Sequence, residues 1–178
     1  MTVVLGIASR VAAAIRDVPD FPKPGIVFKD ITPVLLESSL FHDATEAMAA
    51  PFANEAISHV VAIESRGFIL GAPVAQALGA AFVPFRKPGK LPHIVERVEY
   101  ALEYGVDALE CHRDALQGGQ RVLVVDDVLA TGGTAGAACA LVESLGAVVQ
   151  GCSFLVELAF LKGRERLPGR RIERVVSY

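Results

Sequence analysis

The chain has 178 residues, of which 52% are hydrophobic and 21% are charged, a composition typical of one globular domain rather than of a disordered chain. No run of about 18 uncharged apolar residues occurs, so we predict no transmembrane helix and no membrane partner. The formal net charge of −3 gives no general attraction to nucleic acid, which we likewise do not expect as a partner.

Features of the chain that bear on cellular location favour the cytoplasm. Residues 4–16 have apolar positions at helical spacing and predict an amphipathic helix, not a signal peptide, because no basic residue precedes the apolar stretch. Three cysteines lie far apart, without metal or redox spacing, and are expected to be reduced thiols: Cys111, Cys139 and Cys152.

The next segment, residues 20–33, is too rich in proline to form a long helix or strand. It is nevertheless unlike a plain linker, because residues 26–28 are apolar and we expect them to be buried.

Apolar spacing then predicts two helices and two strands. They are a helix at residues 38–56, a strand at 59–63, a helix at 68–78 and a strand at 81–86. Ser38 or Ser39 is the expected N-cap of the first of these helices. A long connection follows at residues 93–112, in which apolar and charged residues alternate.

The most informative stretch is residues 121–137, RVLVVDDVLATGGTAGA. Its four apolar residues at 122–125 predict a strand buried on both faces, followed by Asp126, Asp127, a turn of small residues and a helix at about 134–145. Beyond it we predict a β-rich stretch at residues 147–157, a charged turn or short helix at 162–166 and a last strand at 172–178.

The turn at residues 130–134, which we name the phosphate loop, has the properties of an anion site. A helix N-terminus carries unpaired N–H groups and a partial positive charge, and glycines let a phosphate approach closely. The loop matches neither a Walker A motif nor a dinucleotide fingerprint. The preceding carboxylate pair, Asp126 and Asp127, can accept hydrogen bonds from sugar hydroxyls or hold a hydrated Mg²⁺. Together they predict a site for a ribose 5-phosphate.

The same strand–turn–helix order occurs at residues 59–78, where the turn at 64–67 reads ESRG. In a doubly wound sheet both turns lie at the carboxyl ends of the strands, where ligands bind.

The VVDD-x-x-ATGGT sequence closely resembles the 5-phosphoribosyl-1-pyrophosphate (PRPP) signature of the type I phosphoribosyltransferases. The resemblance implies that Asp126 and Asp127 face the ribose hydroxyls. It implies that the 5′-phosphate is held by Ala130, Thr131, Gly132, Gly133 and Thr134. The implied fold is a single α/β domain with a central, mostly parallel twisted sheet flanked by helices. Residues 1–34 would form an N-terminal helix and a base-binding hood, and residues 35–178 a core with a mobile loop at about 87–105.

The segment DFPKPGIVFKDITPVL is similar to the N-terminal segment of the adenine phosphoribosyltransferases within this family. The resemblance implies that backbone groups of Val27 and Lys29 recognise adenine and that Phe28 stacks on it. Base–aromatic stacking contributes roughly 1–3 kcal/mol in nucleic-acid-binding sites.

Two further motifs resemble the pyrophosphate-binding segments of the family. In ESRG, Ser65 and Arg66 would contact pyrophosphate, and we predict a cis peptide bond between Glu64 and Ser65. In RKPGKLP, residues 86–92, the expected pyrophosphate ligands are Arg86, Lys87 and Lys90. Enzymes of this kind are commonly homodimers, and one of these basic residues is expected to act across the interface.

The LEYG sequence at residues 102–105 resembles the family's mobile catalytic loop. By that resemblance Glu103 is the catalytic acid/base and Tyr104 its neighbouring loop aromatic.

The resemblance implies the reaction of adenine with PRPP to give AMP and pyrophosphate, with Mg²⁺ held mainly by PRPP near Asp126 and Asp127. Three alternatives remain at this point. They are a phosphoribosyltransferase for guanine, xanthine or orotate, a non-catalytic PRPP-fold sensor that regulates transcription, and a Rossmann-type oxidoreductase.

Overall fold

The computed structural model describes residues 2–102 and 105–178. In chain order its helices and strands are α1 (Thr2–Ala14), β1 (Arg16–Pro19), β2 (Val27–Asp30), α2 (Thr32–Leu36), α3 (Ser38–Ala49), β3 (His59–Ile63), α4 (Arg66–Ala77), β4 (Ala81–Phe85), β5 (Val95–Leu102), β6 (Gly105–His112), β7 (Arg121–Leu129), α5 (Gly133–Ser144), β8 (Val148–Glu157) and β9 (Ile172–Ser177). Short 3-10 turns lie at Ala50–Phe52, Ala159–Leu161 and Gly163–Arg166.

Five of the strands form one parallel sheet in the order β4-β3-β7-β8-β9. Helix α4 connects β3 to β4, and α5 connects β7 to β8. Residues 122–125 of β7 are fully buried because both faces of the sheet are covered. Val122 and Val124 pack with α5 and β6, whereas Leu123 and Val125 pack with α1, α3 and α4. The predicted parallel α/β sheet flanked by helices is therefore confirmed.

Helix α3 is shorter than predicted, and its start differs from the prediction. It ends at Ala49, and Pro51 follows within a 3-10 turn, since proline does not sustain the α-helical hydrogen-bond ladder. The predicted serine N-cap is wrong: Glu37 occupies the N-cap position, and Ser39 Oγ donates to its carboxylate Oε1 at 3.1 Å. None of the described helices is long and apolar enough to cross a bilayer.

The proline-rich segment contains more regular structure than the sequence suggested. Strands β1 and β2 pair antiparallel, with Val18 opposite Phe28, as a two-stranded sheet separate from the main one. The expectation that residues 26–28 are buried is wrong for Ile26 and Val27, which are 44% and 50% exposed, whereas Phe28 is half-buried. They line a cavity instead of the core.

The predicted long connection forms an antiparallel hairpin of β5 and β6. The alternation of apolar and charged residues seen in the sequence corresponds to the two faces of this hairpin. Much of the predicted mobile loop is thus strand. Glu103 and Tyr104, its expected functional residues, lie outside the described residues.

Candidate active site

The candidate site lies where β3 and β7 end side by side. These strands are parallel neighbours, with Ala62 opposite Val125, so the turns that follow them meet at one edge of the sheet. Strand β7 runs to Leu129, beyond its predicted end, because Asp126 and Val128 pair with Phe154 and Val156 of β8. The carboxylate pair therefore lies on the strand itself rather than beyond its end.

A cavity of about 520 Å³ opens at this edge and brings together segments that are far apart in sequence. Its lining includes ten of the predicted site residues: Val27, Phe28, Lys29, Ser65, Arg66, Lys87, Asp126, Asp127, Ala130 and Thr134. A smaller cavity of about 70 Å³ adjoins it and is lined by the whole phosphate loop together with Asp126. A base, a sugar and a phosphate can thus occupy adjacent positions.

Both carboxyl groups of the pair, Asp126 and Asp127, have raised pKa values. Asp127 is only 5% exposed, and its backbone N–H donates to Asp126 Oδ1 at 2.9 Å. Burial and the negative charge of Asp127 raise the pKa of Asp126 well above its ordinary value. Burial also raises the pKa of Asp127, although the positive charge of Arg66 acts in the opposite direction. Carboxyl groups with raised pKa values in a cavity are typical of functional sites.

Arg66, the first residue of α4, contacts both the carboxylate pair and Phe28. Its Nε lies 2.7 Å from Asp127 Oδ2, and its guanidinium carbon lies 4.8 Å from the ring centroid of Phe28. The preceding Glu64–Ser65 peptide bond is cis, as predicted. Gly67 allows this turn to approach the carboxylate pair, since a Cβ there would lie 2.7 Å from Asp126 Oδ1.

The phosphate loop depends on Gly132. This residue has φ +81°, and a Cβ on it would lie 2.2 Å from the carbonyl oxygen of Gly163. It is the N-cap of α5, which begins at Gly133, and no side chain of the described residues caps the helix. The first backbone N–H groups of α5 therefore lack intrahelical acceptors and lie beside the smaller cavity.

The basic residues of the 86–92 segment have different surroundings. Lys87 lines the main cavity. Arg86 and Lys90 pair with Glu64, at 3.3 Å and 2.5 Å from its Oε1. Burial acts to raise the pKa of Glu64, but hydrogen bonds from Lys90, the Lys87 backbone and Arg86 outweigh it and lower the pKa to about 2. The structure thus places Arg86 and Lys90 on the carboxylate that precedes Ser65, rather than in the cavity lining.

The segment at residues 26–29 lines the main cavity and carries the aromatic ring of Phe28. Phe28 packs edge-on against Phe21, with ring centroids 5.1 Å apart. The Lys29 ammonium pairs with Asp17 at 2.6 Å and lies 3.7 Å from the ring centroid of Tyr178. The Lys29 side chain is thus already engaged within the protein.

Sequence reasoning missed several of the lining residues, among them Glu64, Leu158 and Leu161. Leu158 directly follows β8 and belongs to the same strand-end edge as the other site residues, a position that the strand prediction could have indicated. Leu161 lies in the 3-10 turn after β8, and no sequence pattern marks it. Glu64 could have been identified as the only acidic residue of the ESRG turn.

Comparison with known proteins places the chain among well-defined relatives. The phosphoribosyl transferase domain model matches residues 38–171. An adenine phosphoribosyltransferase of Myxococcus xanthus is 58% identical over 168 residues, which are 93% of this chain and 90% of that protein. The crystal structure of an adenine phosphoribosyltransferase from Rhodothermus marinus superposes with a TM-score of 0.94 at 52% identity, covering 98% of this chain and 99% of that one.

A third relative is the Saccharomyces cerevisiae adenine phosphoribosyltransferase in complex with an imino-altritol bisphosphate and adenine. It has a TM-score of 0.91 and 38% identity, and the match covers 96% of this chain and 99% of that one.

Proposed function

Because this chain belongs to the adenine phosphoribosyltransferases, enzymes of the phosphoribosyltransferase family, we propose that it transfers the 5-phosphoribosyl group of PRPP to N9 of adenine, giving AMP and pyrophosphate. One observation carries the proposal. Residues 26–29, the carboxylate pair and the phosphate loop line two adjoining cavities.

The proposed placement of the substrates follows from the chemistry of each segment. The 5′-phosphate lies in the phosphate loop, where α5 supplies backbone N–H groups and Thr131 and Thr134 supply hydroxyls. The ribose hydroxyls donate to Asp126 and Asp127. Adenine stacks on Phe28, which lines the main cavity. The yeast relative was crystallised with adenine and an imino-altritol bisphosphate, which supports adenine as the base.

In the proposed reaction the C1′–O bond to pyrophosphate breaks and the bond from N9 of adenine to C1′ forms. The ribose passes through an oxocarbenium-like transition state, and negative charge grows on the leaving pyrophosphate. Arg66 and Lys87 stabilise that charge, with the hydroxyl of Ser65 beside them. The nearby carboxylate pair offsets the positive charge of the ring.

The N9 proton must leave adenine during the transfer. We assign its removal to Glu103, which lies outside the described residues, so this role rests on the sequence resemblance alone.

The proposed Mg²⁺ fits the donor groups present. Among the described residues no cluster of three or more His, Cys, Asp and Glu side chains has the arrangement of a metal site. Asp126 and Asp127 nevertheless offer two carboxylates at the cavity, and Mg²⁺ commonly combines one or two carboxylates with substrate phosphates. When bound mainly through PRPP, the ion would neutralise charge on the pyrophosphate.

The proposal includes a homodimer. Strand β4 is an edge of the main sheet, and Phe82 on it is 38% exposed and packs edge-on against Phe68 of α4, with Ile69 43% exposed alongside. Exposed apolar side chains on and beside an edge strand favour an interface with another chain. Sedimentation equilibrium measures the state directly, and a monomer at micromolar concentration would contradict the dimer.

A product assay tests the function. The protein is incubated with PRPP, Mg²⁺ and, in parallel, adenine, hypoxanthine, guanine or orotate, and the nucleotide is identified by chromatography. We expect AMP from adenine and at least about 100-fold slower formation of the other nucleotides, because backbone groups read the adenine edge. Faster turnover of another base would contradict the adenine assignment, and no nucleotide from any base would contradict the transferase function.

A further inference from the structure

A hydrogen-bonded cluster on the β5–β6 hairpin surrounds the ammonium of Lys87. Tyr100 and Asp107 are directly opposed in the hairpin register. The ammonium donates to Tyr100 Oη at 2.8 Å and also contacts Asp107 Oδ2. Tyr100 Oη in turn lies 3.2 Å from Asp107 Oδ2.

The same tyrosine reaches the phosphate loop. Thr134 Oγ1 donates to Tyr100 Oη at 3.4 Å, in the first turn of α5. One hydroxyl group therefore connects a lysine of the pyrophosphate region with a threonine of the 5′-phosphate region. The main sheet does not contribute to this link; both cluster residues come from the separate hairpin.

The cluster leaves Lys87 able to bind a further anion. An ammonium has three donors, and Tyr100 and Asp107 take two of them. The residue also lines the main cavity, and its backbone N–H is fixed by Glu64 Oε2 at 2.9 Å. Partial burial acts to lower the pKa of Lys87, but the hydrogen bonds with Asp107 and Tyr100 raise it on balance, so the ammonium stays charged.

We propose that Tyr100 and Asp107 are positioning residues, which aim the Lys87 ammonium at the pyrophosphate of PRPP and align it with the phosphate loop through Thr134. The proposal rests on the proposed function, because it takes PRPP as the ligand of both regions. A long, flexible lysine side chain loses considerable rotamer entropy when a ligand orders it. Two fixed partners remove part of that loss before the substrate binds.

The test is a double-mutant cycle between Tyr100→Phe and Lys87→Met, measured as the KM for PRPP and the KM for adenine. Tyr100→Phe keeps the ring and removes the hydroxyl group, and we expect it to raise the KM for PRPP about three- to tenfold while the KM for adenine stays within about twofold. Lys87→Met should raise the KM for PRPP at least about tenfold. In the Lys87→Met background, Tyr100→Phe should then change it less than about twofold, because the tyrosine acts through the lysine.

Ser144→Ala is the matched control. It removes a hydroxyl group from the far end of α5, where Ser144 Oγ donates to the carbonyl of Leu141 at 2.8 Å, and should leave both KM values unchanged. Thermal unfolding of each variant checks that the fold is intact. Asp107→Asn is a second test: it should change the KM for PRPP when made alone, and that change should disappear in the Lys87→Met background. An unchanged KM in the single variant would remove Asp107 from the proposal.

The outcomes separate this inference from the function on which it rests. If the KM of the double variant for PRPP equals the product of the two single effects, the tyrosine has a structural role only, and the inference would be wrong. A KM for PRPP unchanged in Tyr100→Phe would also overturn it. If the unaltered protein makes no AMP from adenine and PRPP, the proposed function fails first.

Discussion

Replacing Gly132 by alanine should damage the phosphate loop specifically. Two effects add at this position: the backbone has φ +81°, and the new Cβ would lie 2.2 Å from the carbonyl oxygen of Gly163. The left-handed conformation costs a non-glycine residue about 1–2 kcal/mol, partly offset by about 0.4–1 kcal/mol because alanine restricts the unfolded chain. The overlap with Gly163 is a backbone contact, so the loop must move, and overpacking of this kind costs about 1–3 kcal/mol more.

Gly119→Ala provides a control that separates these effects. Gly119 has nearly the same backbone conformation, with φ +82°, but a Cβ there would meet nothing within 4 Å. It should therefore lose about 1.5 kcal/mol of unfolding free energy or less, whereas Gly132→Ala loses about 1–3 kcal/mol more than the control. For a chain of this size that difference corresponds to about 2–12 °C in Tm, measured by calorimetry.

The same pair of variants tests the function of the loop. Because the shift moves the N-terminus of α5, the KM for PRPP should rise at least about tenfold in Gly132→Ala and stay near the wild-type value in Gly119→Ala. Equal loss of stability in the two variants would refute the steric argument. An unchanged KM for PRPP in a destabilised Gly132→Ala would refute the assignment of the loop to phosphate.

Three further predictions address the ionisable groups. Asp126→Asn should slow turnover but raise Tm, because burial and Asp127 raise the pKa of Asp126 and make its ionisation costly. A raised pKa means that stability is lost as pH rises above the ordinary aspartate pKa, so the Tm advantage should grow as the pH is raised from about 4, and a Tm below wild type throughout would contradict this. Glu64→Gln should lose about 1–3 kcal/mol of unfolding free energy in urea at neutral pH. Because the pKa of Glu64 is lowered to about 2, that difference should vanish as pH falls from 4.5 to about 2, and a pH-independent difference would argue against the ion pairs. Glu103→Gln should lower kcat more than it weakens adenine binding, and the reverse pattern would make Glu103 a binding residue only.

The main sheet was predictable because its strands follow local patterns. The strand at His59–Ile63 has the predicted bounds, and the buried run at residues 122–125 is apolar because helices cover both faces. Parallel neighbours then bring their carboxyl ends to one edge, which is why the ESRG turn and the phosphate loop were expected to meet.

Other features depend on contacts that no local pattern reveals. Strand β7 continues through Asp126 only because β8 pairs with it there. Ile26 and Val27 are exposed because they line a cavity. Asp126 and Asp127, which line the same cavity, are about 100 residues away in sequence. Glu37 at the N-cap of α3 likewise departs from the residue preferences for that position.

The pairing partners of charged residues were the least predictable part of the site. The sequence shows a basic cluster at residues 86–90 but not that Glu64 binds Arg86 and Lys90. It also does not show that Asp107 and Tyr100 bind Lys87, since that contact depends on the register of the hairpin.

A crystal structure of the protein with AMP tests the account most directly, because AMP spans every segment except the pyrophosphate region. The account predicts the phosphate in hydrogen-bonding contact with the backbone and hydroxyl groups of residues 131–134. The ribose hydroxyls should lie on Asp126 and Asp127, and the adenine ring on Phe28. A phosphate bound at Arg86 and Lys90 with the phosphate loop empty, or an adenine ring away from Phe28, would contradict it.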